Sequence, residues 1–265
     1  MKRRAAVIAA ALVLIAASMG FAAESSRNSP VVKVVKEWSP SVVNISTERV
    51  VLVQQQQPYQ QAYAGAFNEF FKQYAQQTVS TMKLKGIGSG VIVSQDGLIV
   101  TNAHVVNMAS KVYVILSDGV TAEATVPAAS PNDDIAILKI SPPENLKPIK
   151  LAEDVIIGET VVSIGNPFGL ENSVSAGIIS GTNRSFSLPA QNLNFTGLIQ
   201  TDASINIGSS GGALINLDGE LVGINLAVVQ GAQSIGFAIP ASRIKDILRQ
   251  YEEYLKKAQV SSPAR

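Results

Sequence analysis

One segment of the chain, residues 201–214, combines a candidate hydroxyl nucleophile with several glycines. Within it, Ser210 follows Gly208 closely and is itself followed by Gly211 and Gly212. Because glycine has no Cβ, the N–H groups around this serine are open and can converge on one point. Such donors stabilise the oxyanion that forms when a hydroxyl attacks a carbonyl carbon. The same pattern also occurs as a plain turn between two strands, so other residues must decide between the two interpretations.

A serine nucleophile needs a base, and the chain contains a single histidine, His104. This residue ends an apolar run, where a histidine can equally be a hydrogen-bonded core residue. A carboxylate that holds the imidazole in one tautomer would complete a catalytic set. Asp134 fits because it stands directly before the apolar run 135–140, and the neighbouring Asp133 is an alternative. Either acid also fits a simple turn, where aspartate is common.

The order histidine, aspartate, serine is that of the chymotrypsin-like enzymes and differs from the order in subtilisins and α/β-hydrolases. Over residues 31–257 the chain resembles the protease domain of the HtrA/Deg family. The resemblance is carried by the nucleophile run and by the segments GSGVIV (88–93), TNAHVV (101–106), DIAILKI (134–140), IGNPFG (164–169) and IGFAIP (235–240). The family normally has asparagine directly before the nucleophile, where this chain has Ser209.

The resemblance implies three sets of site residues. The catalytic set is His104, Asp134 and Ser210. The oxyanion-binding set consists of the backbone N–H groups of Gly208, Ser209 and Ser210. The substrate pocket has Ser204 at its base, six residues before the nucleophile, where trypsin-type enzymes carry an acid; its walls are Ile205, Val228 and Val229. An uncharged pocket with apolar walls predicts a preference for aliphatic side chains.

Short apolar runs of β-type residues fill the middle of the chain. Asp-Gly pairs at 96–97, 118–119 and 218–219 separate several of them, which is a strong signal for hairpin turns. Many short strands with few helical stretches predict an all-β barrel or sandwich. The resemblance narrows this to two six-stranded antiparallel β-barrels of the chymotrypsin/trypsin type. The triad would then lie in the cleft between them, with His104 and Asp134 from the first barrel and Ser210 from the second.

Two segments depart from the strand pattern. Residues 54–83 form a glutamine-rich insertion with aromatic side chains at helical spacing, namely Phe67, Phe70, Phe71 and Tyr74. This insertion is either a flexible low-complexity loop or a contact with another subunit or with the cleft. From residue 242 onward an apolar stripe predicts an amphipathic C-terminal helix, formed by Ile244, Ile247, Leu248, Tyr251 and Leu255.

The first 23 residues have the pattern of an export signal, with basic residues, an apolar run and small residues before Glu24. We expect cleavage here; the alternative is an uncleaved signal anchor, since the run 5–23 is long enough to span a bilayer. Membrane contact is expected only in that second case. The protease domain would lie in the periplasm. Only a tail, 258–265, follows it, where most relatives continue into a PDZ domain, so we expect no PDZ domain here.

Composition argues against several classes of protein. The chain has no cysteine, which excludes disulfides, a thiol nucleophile and thiolate metal sites. A single histidine makes a zinc site unlikely to assemble, and the sequence has no phosphate-binding loop. The net charge of +1 does not indicate a nucleic-acid partner. We therefore expect no metal and no cofactor.

These observations predict an exported, ATP-independent serine endopeptidase that degrades misfolded or unfolded polypeptides. A chaperone-like protein on the same fold, a signalling protease with one membrane substrate and an esterase-type hydrolase are the alternatives. As in the family, we expect a homo-oligomer, a trimer. The apolar segment 31–38 and the aromatic side chains of 54–83 would supply its contacts, unless Trp38 packs on its own barrel.

Overall fold

The described part of the chain forms two barrels of antiparallel strands. The structure is a computed structural model that describes residues 27–51, 82–141, 146–166, 173–188, 193–206, 208–228 and 234–261. The strands of the first barrel are β1 (Val42–Val51), β2 (Met82–Ile92), β3 (Leu98–Thr101), β4 (Lys111–Ile115), β5 (Thr121–Ser130) and β6 (Ile135–Lys139). They close in the order β1-β2-β3-β6-β5-β4.

The second barrel is a ring of six strands with one short strand added at its edge. Its strands are β7 (Lys150–Leu151), β8 (Thr160–Gly165), β9 (Ser173–Leu188), β10 (Leu193–Thr201), β11 (Ala213–Asn216), β12 (Glu220–Val228) and β13 (Gly236–Pro240). The ring runs β11-β8-β9-β10-β13-β12 and closes through pairing of β11 with β12, while β7 joins β12 in parallel. The predicted pair of six-stranded antiparallel barrels is thus confirmed.

Three helices complete the described elements, and the last confirms the predicted C-terminal helix. They are α1 (Pro30–Trp38), which continues into a 3-10 turn (Ser39–Ser41), α2 (Ala103–Val106) and α3 (Ala241–Ser261). In α3, Ile244 and Ile247 are buried and Leu248 and Tyr251 pack beside them, whereas Leu255 is 40% exposed. Among the described residues, no helix has both the length and the apolar character needed to cross a membrane.

Strands β1, β2, β3 and β6 each place apolar side chains in two cores. Successive side chains of a strand point to opposite faces. One set of side chains fills the first barrel, and it includes Val43, Ile92, Ile99 and Leu138. The alternate set packs in a cluster shared with the second barrel, and it includes Val42, Val91, Val100 and Ile137 beside Val162, Ile164 and Ile215. An apolar interface therefore joins the two barrels at the strands that carry the candidate site.

The three Asp-Gly pairs form the hairpin turns that the sequence predicted. They connect β2 to β3, β4 to β5 and β11 to β12, and each connected pair is antiparallel. The backbone φ of the glycine is +93° at Gly97, +85° at Gly119 and +81° at Gly219. Side chains with a Cβ are disfavoured at such angles, which explains the glycine at each turn.

Helix α1 packs on its own chain. Val34 is buried, and Val31, Val35 and Trp38 pack against the cluster that the two barrels share. The Trp38 ring lies on Gly219, and Lys147 Nζ stands 4.4 Å from the ring centroid. This contact removes the apolar segment 31–38 as support for an oligomer interface. The aromatic side chains of 54–83 and the export signal 1–23 lie outside the described residues.

The contact of Trp38 with Gly219 gives a prediction for stability. Ala at Gly219 would adopt a left-handed φ, which costs about 1–2 kcal/mol, and its Cβ would overlap the indole of Trp38. Gly119 has nearly the same φ, but no atom lies within 4 Å of the position that a Cβ would take. Gly219→Ala should therefore lower the free energy of unfolding more than Gly119→Ala does, by about 1–3 kcal/mol. Urea unfolding measures both; equal losses would contradict the packing of α1 on this turn.

Candidate active site

His104 lies on α2, a single helical turn that follows directly from β3. The strand ends at Thr101, which is fully buried, and Asn102 caps the helix in an extended conformation. Val105 anchors the turn on β2, where a Cβ at Gly88 would come within 2.6 Å of Val105 Cγ1. The His104 side chain remains 32% exposed, so a substrate can reach its ring.

Backbone hydrogen bonds hold Asp134 in place independently of the contacts of its carboxylate. Its φ is +53°, a left-handed conformation that is uncommon outside glycine. The N–H of Asp134 donates to the carbonyl of Pro131 at 3.3 Å. Its own carbonyl accepts from the N–H of Ala103 and from Nδ2 of Asn102, both at 3.1 Å. The turn before β6 is thereby fixed against the residues that begin the histidine helix.

The carboxylate of Asp134 binds His104 through both of its oxygens. Oδ2 lies 2.6 Å from His104 Nδ1, and Oδ1 accepts the backbone N–H of His104 at 2.8 Å. An ionised carboxylate only accepts hydrogen bonds, so for a neutral imidazole this contact selects the tautomer with the proton on Nδ1 and the lone pair on Nε2. This is the tautomer that a general base requires.

Asp133, the alternative acid, makes different contacts. Its Oδ2 accepts from the hydroxyl of Ser130 at 2.7 Å, and its Oδ1 lies 3.4 Å from a guanidinium nitrogen of Arg243 on α3. The geometry therefore favours Asp134 over Asp133 as the partner of the imidazole.

Ser210 lies in the serine loop (residues 202–212), which connects β10 to β11. This loop packs directly on the first barrel. The N–H of Ser89 on β2 donates to the carbonyl of Ser210 at 2.9 Å. A Cβ at Gly211 would overlap the carbonyl oxygen of Ser89 and the hydroxyl of Thr101. Because Thr101 is only three residues from His104, this close approach places the serine loop beside the chain segment that carries His104.

The hydroxyl of Ser210 donates to the backbone carbonyl of Leu226 on β12 at 3.0 Å. It has a single proton, so attack on a substrate requires rotation of the side chain toward Nε2 of His104. Hydrogen bonds of this kind often tighten only when substrate binds. Sequence reasoning assigned no role to Leu226, whose backbone carbonyl carries no signal in the side-chain pattern.

The backbone N–H groups of the serine loop differ in their partners. Those of Ser209, Gly211 and Gly212 donate at 2.9 Å to the carbonyls of Asn206, Asn225 and Ser209. Within the described residues, the N–H groups of Gly208 and Ser210 donate to no acceptor. Of the three predicted oxyanion donors, Ser209 has its N–H engaged within the turn, and Gly208 and Ser210 stay predictions.

The predicted pocket is described only in part. Ser204 is exposed, and its carbonyl accepts from the hydroxyl of Ser175 at 2.7 Å. Ile205 is buried and lies so close to Gly236 that a Cβ there would be 2.9 Å from Ile205 Cδ1. Val228 ends β12, and the position of its side chain lies outside the description, as does the whole of Val229. The roles of these residues therefore stay predictions.

Comparison with known proteins decides the family. Residues 88–224, just over half of the chain, match the trypsin-like peptidase domain. The chain belongs to the trypsin-like peptidase family. The residues matched include His104, Asp134 and Ser210, and the resemblance to the HtrA/Deg serine proteases is confirmed by the relatives described next.

Curated relatives of this peptidase come from several bacteria. It is 47% identical over 178 residues to the periplasmic serine endoprotease DegP of Escherichia coli K12, an alignment that covers 65% of this chain and 37% of DegP. It is 36% identical over 245 residues to a probable periplasmic serine protease, do/HhoA-like, of Haemophilus influenzae, covering 88% of this chain and 52% of that protein. With the putative serine protease HhoA of Synechocystis it shares 39% identity over 219 residues, covering 80% and 54%. The chain thus spans about half the length of the relatives it matches, or less.

The pair of His104 and Asp134 gives a spectroscopic prediction for this trypsin-like peptidase. A proton held in a 2.6 Å contact between Nδ1 and a carboxylate should resonate far downfield in a proton NMR spectrum. The signal has one possible source, since the chain has one histidine. Asp134→Asn should move it upfield, while Asp133→Asn should leave it in place. A downfield signal that responds only to Asp133→Asn would contradict the assignment of the acid.

Proposed function

We propose that the chain is a serine endopeptidase that acts through an acyl-enzyme formed on Ser210. The observation that carries the proposal is the two-oxygen contact of Asp134 with His104, made beside the docked loop of Ser210. One buried carboxylate here fixes both the backbone and the ring of the histidine, a constraint that a core histidine does not require. Such a constraint on one tautomer is what general-base catalysis uses.

In the proposed reaction, Ser210 Oγ attacks the carbonyl carbon of the scissile peptide while His104 Nε2 takes its proton. The carbonyl oxygen becomes an oxyanion bound by the N–H groups of Gly208 and Ser210. Collapse of this intermediate breaks the C–N bond, and His104 gives its proton to the leaving amine. Water then attacks the ester with the same base, which releases the acid product and restores Ser210. Asp134 stays ionised and stabilises the imidazolium at each step.

We propose misfolded or unfolded polypeptides in the periplasm as the substrates. His104 is 32% exposed beside Ser210, and attack on a peptide bond there needs an extended segment of substrate, which a folded protein rarely offers. The names of several relatives place them in the periplasm as serine proteases, and the first 23 residues have the pattern of an export signal. A chaperone-like activity on the same fold is the competing function; it would protect an unfolded protein from aggregation without cutting it.

The homo-oligomer, a trimer, also stays a proposal. Its remaining support is the resemblance to the family and the aromatic side chains in 54–83, since the segment 31–38 packs on its own chain. Light scattering of the mature protein tests it, and a monomer mass with full activity would overturn it.

Cleavage of an unfolded model substrate such as casein tests the proposed activity. Ser210→Ala and His104→Ala should each abolish cleavage, because loss of the nucleophile or the base costs about a millionfold in kcat in subtilisin. Asp134→Asn should reduce kcat by about 10⁴-fold through the wrong tautomer. Asp133→Asn is the matched control and should keep most of the activity, since its side chain contacts Ser130 and Arg243 instead. Cleavage that survives in Ser210→Ala, or protection of casein without any cleavage by the unmodified chain, would reject the proposal.

The composition of the pocket predicts where the cuts fall. Ser204 offers no charge to a bound lysine or arginine, and Ile205 adds an apolar surface, so a basic side chain would be buried unpaired. Mass spectrometry of casein fragments should show most cuts after valine, isoleucine or alanine. Ser204→Asp should add cuts after lysine and arginine. A majority of cuts after basic residues in the unmodified chain would show that the pocket is assigned wrongly.

A further inference from the structure

Ser89 occupies the point at which the two barrels meet the serine loop. It lies on β2 between two glycines and is fully buried. A Cβ at Gly88 would meet Val105, and one at Gly90 would meet Ile45 and Ile99, all on the side of the first barrel. Because side chains alternate along a strand, Ser89 points to the opposite face, toward the second barrel.

The hydroxyl of Ser89 has a defined direction. Its oxygen accepts the backbone N–H of Asn166 at 2.8 Å and lies 2.7 Å from the carbonyl oxygen of Gly208. Asn166 is the donor in the first contact, so the single proton of the hydroxyl points to Gly208. Ser89 thus donates to the serine loop, while Asn166, the residue after β8, donates to its oxygen from the other side.

This hydrogen bond orients the peptide group that joins Gly208 to Ser209. The carbonyl of Gly208 and the N–H of Ser209 belong to one planar peptide group and point in opposite directions. Ser89 holds the carbonyl, and the carbonyl of Asn206 holds the N–H at 2.9 Å. The peptide group between Gly208 and Ser209 is therefore fixed by a hydrogen bond on each side.

The backbone of Ser89 orients a second peptide of the same loop. Its N–H donates to the carbonyl of Ser210 at 2.9 Å, and the N–H of Gly211 in that peptide group donates to Asn225 at 2.9 Å. The N–H of Ser210 lies between these two hydrogen-bonded peptide groups. The N–H of Gly208 belongs to the peptide group that directly precedes them. These are the two N–H groups that donate to no described acceptor.

Ser89 is also tied to the histidine segment. Its carbonyl accepts the hydroxyl of Thr101 at 2.7 Å, and Thr101 is the last residue of β3 before the turn that carries His104. One residue therefore connects the serine loop, the end of β8 and the histidine strand.

We propose that Ser89 is a positioning residue whose hydroxyl aims the N–H groups of Gly208 and Ser210 at the oxyanion. The inference rests on the proposed peptidase function, because an oxyanion forms only if Ser210 attacks a carbonyl. Ser89 does not touch substrate. It acts through the carbonyl of Gly208, so its loss should weaken binding of the transition state and leave ground-state binding of a peptide unchanged.

Steady-state kinetics of Ser89→Ala on a peptide substrate tests this role. Loss of one oxyanion donor costs about 10²–10³-fold in kcat in other proteases, and a misaimed donor should cost about 10–100-fold. KM should change less than about threefold, since a kcat effect alone marks an interaction made in the transition state. A peptide aldehyde, whose adduct with Ser210 carries the oxyanion, should bind weaker by the same factor as kcat falls. The matching product peptide should bind as before.

Ser89→Cys is the second variant, which fills nearly the same volume with a weak donor. It should show the same loss of kcat even if Ser89→Ala fails to fold. Two controls separate this effect from general destabilisation. Ser41→Ala removes another fully buried hydroxyl, one without a hydrogen-bond partner among the described residues. Gly219→Ala lowers stability through Trp38, away from the serine loop. Both should keep the kcat of the unmodified chain in their folded fraction.

Each possible outcome supports or overturns the role of Ser89. A fall in kcat and in aldehyde affinity with unchanged KM supports the proposal. Unchanged kcat in a folded Ser89→Cys or Ser89→Ala variant overturns it, as does a loss that matches the loss of folded protein. Absence of cleavage by the unmodified chain would instead reject the peptidase function itself, and so the two failures can be told apart.

Discussion

The junction between the two barrels is the constraint on which the candidate site depends. His104 and Asp134 belong to one barrel and Ser210 to the other, so their alignment is only as good as the docking of the barrels. The shared apolar cluster drives that docking, but burial of apolar surface has no preferred direction. Buried polar atoms supply the direction, because each must find its partner across the junction. Asn44 Nδ2, for example, donates to the carbonyl of Asn166 at 2.8 Å.

Two backbone positions at this junction depend on their surroundings. Asp134 holds a φ of +53° and Gly211 one of +79°, and a Cβ at Gly211 would overlap Ser89 and Thr101. A left-handed φ at a residue other than glycine, as at Asp134, persists only where the surroundings determine it fully. Asp134 is held by hydrogen bonds from Ala103 and Asn102. The peptide group between Ser210 and Gly211 is held by the N–H of Ser89 and the carbonyl of Asn225. Precise positions of functional groups are thus maintained by contacts made in the two barrels.

The fold could be predicted from the sequence, and candidate site residues could be chosen from it, because their signals are local. Asp-Gly turns, alternating apolar strands and the glycines beside Ser210 can each be read within a few residues, and the resemblance supplied the two barrels. The choice of Asp134 over Asp133 came from the resemblance, since the local pattern left both acids open. The engagement of the Ser209 N–H and the contacts of Ser89 and Leu226 could not be read from the sequence. They depend on backbone groups that meet from distant parts of the chain, such as the carbonyl of Gly208 and the hydroxyl of Ser89. The packing of Trp38 on Gly219 likewise joins residues that no short pattern connects.

Reaction of the folded chain with a fluorophosphonate, followed by peptide mapping, tests the assembled site most directly. The reagent modifies a serine whose proton is removed by a nearby base and whose oxyanion is stabilised, so it responds to the junction as a whole. We expect one phosphonyl group per chain, located on Ser210, and none when His104 is replaced by alanine or when the chain is unfolded. Modification of a different serine, or no modification of the folded chain, would contradict the site described here.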